Sequence, residues 1–189
     1  MRLFLAINLP EAVRRTVYDA TLELRRAAPS VRWVQPDTLH LTLKFLGEVV
    51  EARLTELRRA LNEGASGTAA FEVMLRAVGA FPNFRRPRVV WLDVANPEAL
   101  VRLQQRIEEA YVPLGFPREA RGFHPHLTLG RMGDGIAGYE LRGLERAAGE
   151  IKYEAQVRVE SVELMQSRLS PQGARYEPVA SVALRKGSS

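Results

Sequence analysis

One tetrapeptide, His-Leu-Thr-Leu, occurs twice in this chain, at residues 40–43 inside "HLTLKFLGE" and at residues 126–129 inside "HPHLTLGRM". Two of the chain's 3 histidines are spent on these copies. A second match runs alongside: "PEA" at Pro10–Ala12 recurs at Pro97–Ala99, and its offset differs by one residue from that of the tetrapeptides. Two matches in the same order and at nearly the same offset argue for internal duplication of a strand, helix, motif-strand unit, near residues 2–46 and 88–132. Two such units facing each other enclose a cleft.

The rest of the pattern fits that frame. "RLFLAIN" at residues 2–8 predicts a buried strand, and Pro10 opens a helix with Val13, Val17, Ala20, Leu24 and Ala27 at helical spacing. "RVVWLDV" at 88–94 predicts a second strand, followed after Pro97 by a helix with Leu100, Leu103, Ile107 and Tyr111 on one face. Between the copies the spacing predicts a helix over Glu51–Leu61, a small-residue stretch "NEGASGTAA" and the alternating strand "FEVMLRAV". After the second copy come a loop at "GDGIAG" and strands at "IKYEAQVRVE" and "PVASVAL", with a parity shift at Ser161 and Val162 that predicts a bulge. The expected class is α+β: one domain over residues 1–189, two-lobed with pseudo-twofold symmetry, its antiparallel sheets backed by helices and its cleft between the lobes.

Composition narrows the chemistry. At 189 residues and 46% hydrophobic content the chain has enough apolar surface for one buried core. With 0 cysteines it has no disulfide, thiolate metal site or cysteine nucleophile. It contains no apolar run of the roughly 18 residues that span a bilayer, and its first residues lack a secretory pattern, so a soluble cytosolic protein is expected. The net charge of +5 and isoelectric point near 10.0 fit an anionic partner. Only Lys44, Lys152 and Lys186 among the 27 basic residues are lysines, a bias that genome composition or thermal adaptation also produces.

In a strand, alternate side chains share a face. Leu39, Leu41 and Leu43 therefore point one way and His40, Thr42 and Lys44 the other, and in the second copy Leu127 and Leu129 oppose His126 and Thr128. Each copy presents an imidazole and a hydroxyl from rigid backbone. Two imidazoles across a cleft can serve as acid and base in one displacement, since imidazole titrates near 6.5, and two threonine hydroxyls can donate to the oxygens of a phosphodiester held between them. Lys44 or Arg131 is placed to offset developing charge. A single His-x-Thr is as well explained as an ordinary cross-strand pair; two copies in a repeated frame favour the catalytic reading. A metal site built from His40, His124 and His126 is a rival, but it leaves both threonines without a role. No Gly-x-Ser-x-Gly turn and no nucleotide-triphosphate loop is present.

These motifs resemble those of the two-histidine phosphoesterase superfamily, defined by paired His-x-Thr motifs, and within it the RNA 2′,3′-cyclic phosphodiesterase family, also called 2′-5′ RNA ligase. The resemblance rests on "RLFLAINLP", "LHLTLKFLG", "FPNFRRPRVVWLDV" and "FHPHLTLGR". It implies His40 as proton donor to the leaving oxygen, His126 as the base that activates water, and Thr42, Thr128 and Arg131 as phosphate-binding residues. It also implies hydrolysis of RNA 2′,3′-cyclic phosphate ends to 2′-phosphates, with ATP-independent 2′,5′ ligation in some members; the alternatives are another nucleotide diester or RNA binding without catalysis. The expected partner is RNA with a cyclic phosphate end, met by a monomer that uses no metal or other cofactor. Lys44, Phe81, Phe84, Arg85 and Arg86 are the expected RNA contacts. Members of the family often carry alanine where this chain has Gly130, which implies looser placement of Arg131.

Overall fold

"RLFLAIN" is buried from Leu3 to Ile7 on both faces, which a strand achieves only between two packed layers. In the computed structural model, which describes residues 1–170 and 173–186, this segment is β1 (Arg2–Asn8). Eight more strands follow: β2 (Arg32–Trp33), β3 (His40–Glu48), β4 (Phe71–Phe81), β5 (Val89–Ala95), β6 (His126–Arg131), β7 (Glu154–Val159), β8 (Ser161–Ser170) and β9 (Gly173–Ala183). The helices are α1 (Glu11–Ala20), α2 (Leu22–Ala27), α3 (Leu54–Ala65), α4 (Glu98–Tyr111) and α5 (Gly138–Glu150). The class is α+β, as the sequence predicts.

All the strands join one antiparallel sheet in the order β7-β4-β5-β6-β3-β1-β8-β9, with β2 added beside β6. The lobes meet where β3 touches β6, and the register pair there is Leu41 with Leu127, the same position of the two tetrapeptides. Outward from that pair the lobes match. Asn8 lies opposite His40 and Asp93 opposite His126; Ala6 lies opposite Thr42 and Trp91 opposite Thr128. The sheet curls until its ends approach, where Ala70 N–H donates to Arg185 O (2.7 Å) and Arg185 N–H to Thr68 O (2.9 Å).

One core lies between the sheet and the helices, with Leu5, Leu41, Leu92 and Leu127 from the strands against Leu24, Leu61, Leu103 and Leu144 from the helices. α3 packs on α4 and α2 on α5. The Tyr111 hydroxyl, buried in that layer, donates to Leu57 O at 2.7 Å. On the other face of the sheet Phe4, Ala6 and Met165 form a small second cluster under Tyr176.

Three sequence expectations differ from the structure. The helix after Pro10 is split at Thr21, a β-branched residue whose buried hydroxyl turns back to Val17 O at 2.8 Å. The parity shift at Ser161 is not a bulge in one strand. Glu160 separates β7, which pairs with β4 in one lobe, from β8, which pairs with β1 in the other. Helix α5 has no counterpart in the sequence reading, although Glu140, Leu144, Ala147 and Ala148 line its buried side.

At Gly130 the packing leaves no room for a side chain. A Cβ there would lie 2.7 Å from Val31 Cγ1 and 2.8 Å from Trp33 Cε3, because the β2 segment presses on β6 at this point. Gly130→Ala should therefore destabilise the fold by about 1–3 kcal/mol, as overpacking does. Thermal unfolding tests this: an unchanged midpoint would show that β2 yields freely.

Candidate active site

A bulge in each motif strand decides which side chains share a face. Leu5 pairs with Lys44 and Ala6 with Thr42, so Leu43 is the extra residue in β3; Val90 pairs with Gly130 and Trp91 with Thr128, so Leu129 is the extra residue in β6. A bulge places two residues against one and shifts the alternation beyond it. His40 and Thr42 stay on the open face, Leu43 and Lys44 both turn to the core side, and Phe45 returns to the open face. In the second copy the same shift buries Leu129 and Gly130 and brings out Arg131.

Lys44 is accordingly a correction to the expected RNA contacts. It is 3% exposed, with Nζ 2.6 Å from Glu108 Oε2 and donating to Pro117 O at 2.8 Å. Gln104 Nε2 donates to the other Glu108 oxygen at 3.0 Å, so the buried charges are paired and both carboxylate oxygens accept a hydrogen bond. Lys44 thus fastens β3 to α4 behind the sheet.

On the open face a cavity of about 550 Å³ brings together His40, Thr42, Thr128 and Arg131, with Phe4, Phe45 and Tyr176 in its walls. His126 does not line this cavity. It projects from the same face of β6 as Thr128, two residues away. Antiparallel order across the Leu41–Leu127 pair sets Thr128 on the His40 side and Thr42 on the His126 side.

The two imidazoles are held alike. His40 Nδ1 is 2.7 Å from Thr38 O, and His126 Nδ1 is 2.7 Å from His124 O. A carbonyl only accepts, so each Nδ1 carries a proton and each neutral ring keeps its lone pair on Nε2. Rings complete the seats: Phe4 at 5.0 Å and Tyr176 at 5.1 Å from His40, Phe81 at 5.1 Å and Trp91 at 6.4 Å from His126, centroid to centroid. Burial pushes both histidines below the ordinary imidazole value, only partly opposed by the carbonyl hydrogen bonds; the Arg131 cation lowers both further, and His124 adds to the effect on His126. Such a pair can accept a proton at one Nε2 and deliver one from the other, with hydroxyls and a guanidinium at hand for an anion.

The remaining predicted residues divide. Phe81 is half-buried in a cluster with Trp91 (4.9 Å), His124 (5.2 Å) and His126, and Phe84, also half-buried, packs against the core. Arg85 and Arg86 are exposed on a tight turn, where both backbone N–H groups donate to Asn83 Oδ1. The rings of His124 and His126 are 6.4 Å apart, and no cluster of three or more potential metal ligands occurs among the described residues. The sequence reading missed Phe4, Phe45, Trp91 and Tyr176, whose roles follow from the bulges and from β9.

A paired-histidine cleft at the centre of a curled antiparallel sheet is a class of site, and comparison with known proteins gives it a family. The profile of the 2′-5′ RNA ligase superfamily matches residues 10–170. The RNA 2′,3′-cyclic phosphodiesterase of Methanothermobacter thermautotrophicus is 38% identical over 93% of this chain and 95% of its own. Among solved structures, TT0787 of Thermus thermophilus superposes with a TM-score of 0.81 at 29% identity, covering 100% of both chains. E. coli LigT complexed with 3′-AMP gives 0.76 at 28% identity over 97% of each. The chain belongs to the 2′-5′ RNA ligase superfamily.

The electrostatics of the site make a prediction independent of any activity. Histidine-ring NMR should show both His40 and His126 losing their protons below about 6.5. Arg131→Gln should move both titrations upward, because removing a neighbouring cation favours the imidazolium. Upward movement of neither would place the guanidinium away from the pair.

Proposed function

We propose that this protein hydrolyses RNA 2′,3′-cyclic phosphate ends to 2′-phosphomonoesters. The observation that carries the reading is the matched pair of imidazoles, each with Nδ1 engaged by the carbonyl two residues upstream, on either side of the Leu41–Leu127 contact. The names of the similar enzymes support the substrate class. The basic charge of the chain fits an RNA partner.

In the proposed reaction a water oxygen attacks phosphorus while His126 Nε2 takes the water's proton. The bond from phosphorus to O3′ breaks, and O3′ takes a proton from Nε2 of protonated His40. Thr42 and Thr128 donate to the non-bridging oxygens and Arg131 neutralises the charge that gathers there. The 2′-phosphate remains, and a proton passing from His126 to His40 through solvent resets the pair. Neither transfer calls for a metal. Run backwards, with a 5′-hydroxyl in place of water, the same steps form a 2′,5′ linkage. Arg85 and Arg86, exposed beyond the Phe81 end of β4, meet backbone phosphates of a longer strand. The protein acts as a monomer in this scheme.

Rates measured on an oligonucleotide with a cyclic phosphate end test it. His40→Ala and His126→Ala should each lower kcat by about a hundred- to ten-thousandfold, the usual worth of a general acid or base, with the fold intact. A variant that keeps most of the wild-type rate would remove that histidine from the chemistry.

A further inference from the structure

The two-residue strand β2 has one side chain that the core does not use. On either side of Arg32, Val31 and Trp33 pack against Gly130 and into the core. Side chains alternate along a strand, so the residue between these two is turned to the open face. The register agrees: Arg32 lies directly opposite Arg131, and Arg131 opposite Val89. The segment is pinned around it. Val31 N–H donates to Ala28 O (3.2 Å), Trp33 Nε1–H to the same oxygen (2.9 Å) and Val34 N–H to Leu129 O (2.8 Å).

The fold thus holds two cations side by side. Like charges directly opposite on neighbouring strands, with Cβ atoms about 5 Å apart, repel and cost stability. Nothing acidic offsets that cost: neither guanidinium takes part in an ion pair among the described residues. Arg32 has a single long hydrogen bond, from Nη2 to Met132 O at 3.4 Å, and a guanidinium carries five N–H donors. Both side chains are exposed. Arg131 lines the cavity that holds His40 and the two threonines, and so do Val34 and Thr38, further along the segment that begins with β2. Arg32 is not in that wall; it stands next to Arg131 on the adjoining strand. One cation therefore faces the reacting centre and its neighbour stands just outside, an arrangement that fits two anions in succession.

We infer that Arg32 is a second anion subsite, taking the phosphate that comes next to the reacting one in the substrate strand. In the terminal nucleotide of an RNA with a cyclic end, that is the 5′-phosphate, one ribose away. The inference rests on the reading of the protein as a cyclic phosphodiesterase and adds a preference to it. Arg131 serves the phosphate that reacts, whereas Arg32 engages only a nucleotide that bears a second phosphate. A bound phosphate there also relieves the repulsion between the two guanidiniums.

The test compares adenosine 2′,3′-cyclic phosphate with and without a 5′-phosphate. Wild-type turnover of either nucleotide establishes the activity on which the inference rests; turnover of neither would overturn that reading and the inference with it. Given turnover, Arg32→Gln should raise KM for the 5′-phosphorylated nucleotide by roughly five- to fiftyfold, the range of one charged hydrogen-bond contact, with kcat little changed. KM for the nucleotide without the 5′-phosphate should not move, and Arg32→Lys, which keeps the charge, should recover part of the loss. On an oligonucleotide with a cyclic phosphate end, Arg32→Gln should also reduce the log–log salt slope of binding by roughly 0.7, the contribution of one neutralised phosphate on a single strand. Equal losses on both nucleotides would place Arg32 at the reacting phosphate, and loss on neither, with an unchanged salt slope, would leave it in solvent. Either result would overturn the second subsite while leaving the activity standing.

Discussion

The contact between Leu41 and Leu127 is the constraint on which the rest of the structure depends. It is a single register pair between the two copies of one tetrapeptide, buried at 1% and 0% exposure. Because strand pairing fixes side-chain faces, seating these leucines on the core side obliges His40, Thr42, His126 and Thr128 to stand together on the opposite face. A slip of one residue would bury the histidines and expose the leucines. The apolar core, through these two side chains, sets the arrangement of the polar site.

The matched bulges add a second level of control. Each inserts its extra residue just past the threonine, and each turns a different side chain back to the open face, Phe45 in one lobe and Arg131 in the other. The symmetric part of the site supplies two imidazoles, two hydroxyls and two backbone carbonyls for orientation. Its asymmetric part supplies one aromatic ring and one cation. Burial of the two imidazoles lowers their proton affinity, and in the proposed reaction the negative charge of a bound phosphate opposes that shift.

What was legible in the sequence is what local pattern encodes. The strand at 2–8, the helix after Pro97 and the outward face of His40, Thr42, His126 and Thr128 all follow from short-range periodicity and the repeated tetrapeptide. Lys44 was misplaced because strict alternation cannot register a bulge that appears only when β3 is paired with β1. The roles of Phe81 and Trp91 depend on contacts between β4, β5 and the loop at His124, and Tyr176 reaches His40 from the last strand. No window of sequence contains those contacts. Helix α5 was legible in principle, from Leu144, Ala147 and Ala148, but the glycines and charges around them mask its apolar stripe.

Central to the proposed chemistry is a directed displacement at phosphorus, with water on the His126 side and the 3′ oxygen leaving on the His40 side. The most direct measurement is product analysis of an RNA ending in a 2′,3′-cyclic phosphate, treated with the protein in ¹⁸O-labelled water. The expected product is a 2′-phosphate whose new oxygen is the labelled one, beside a free 3′-hydroxyl. A 3′-phosphate product would mean that the 2′ oxygen leaves in place of the 3′ oxygen, and would contradict that direction.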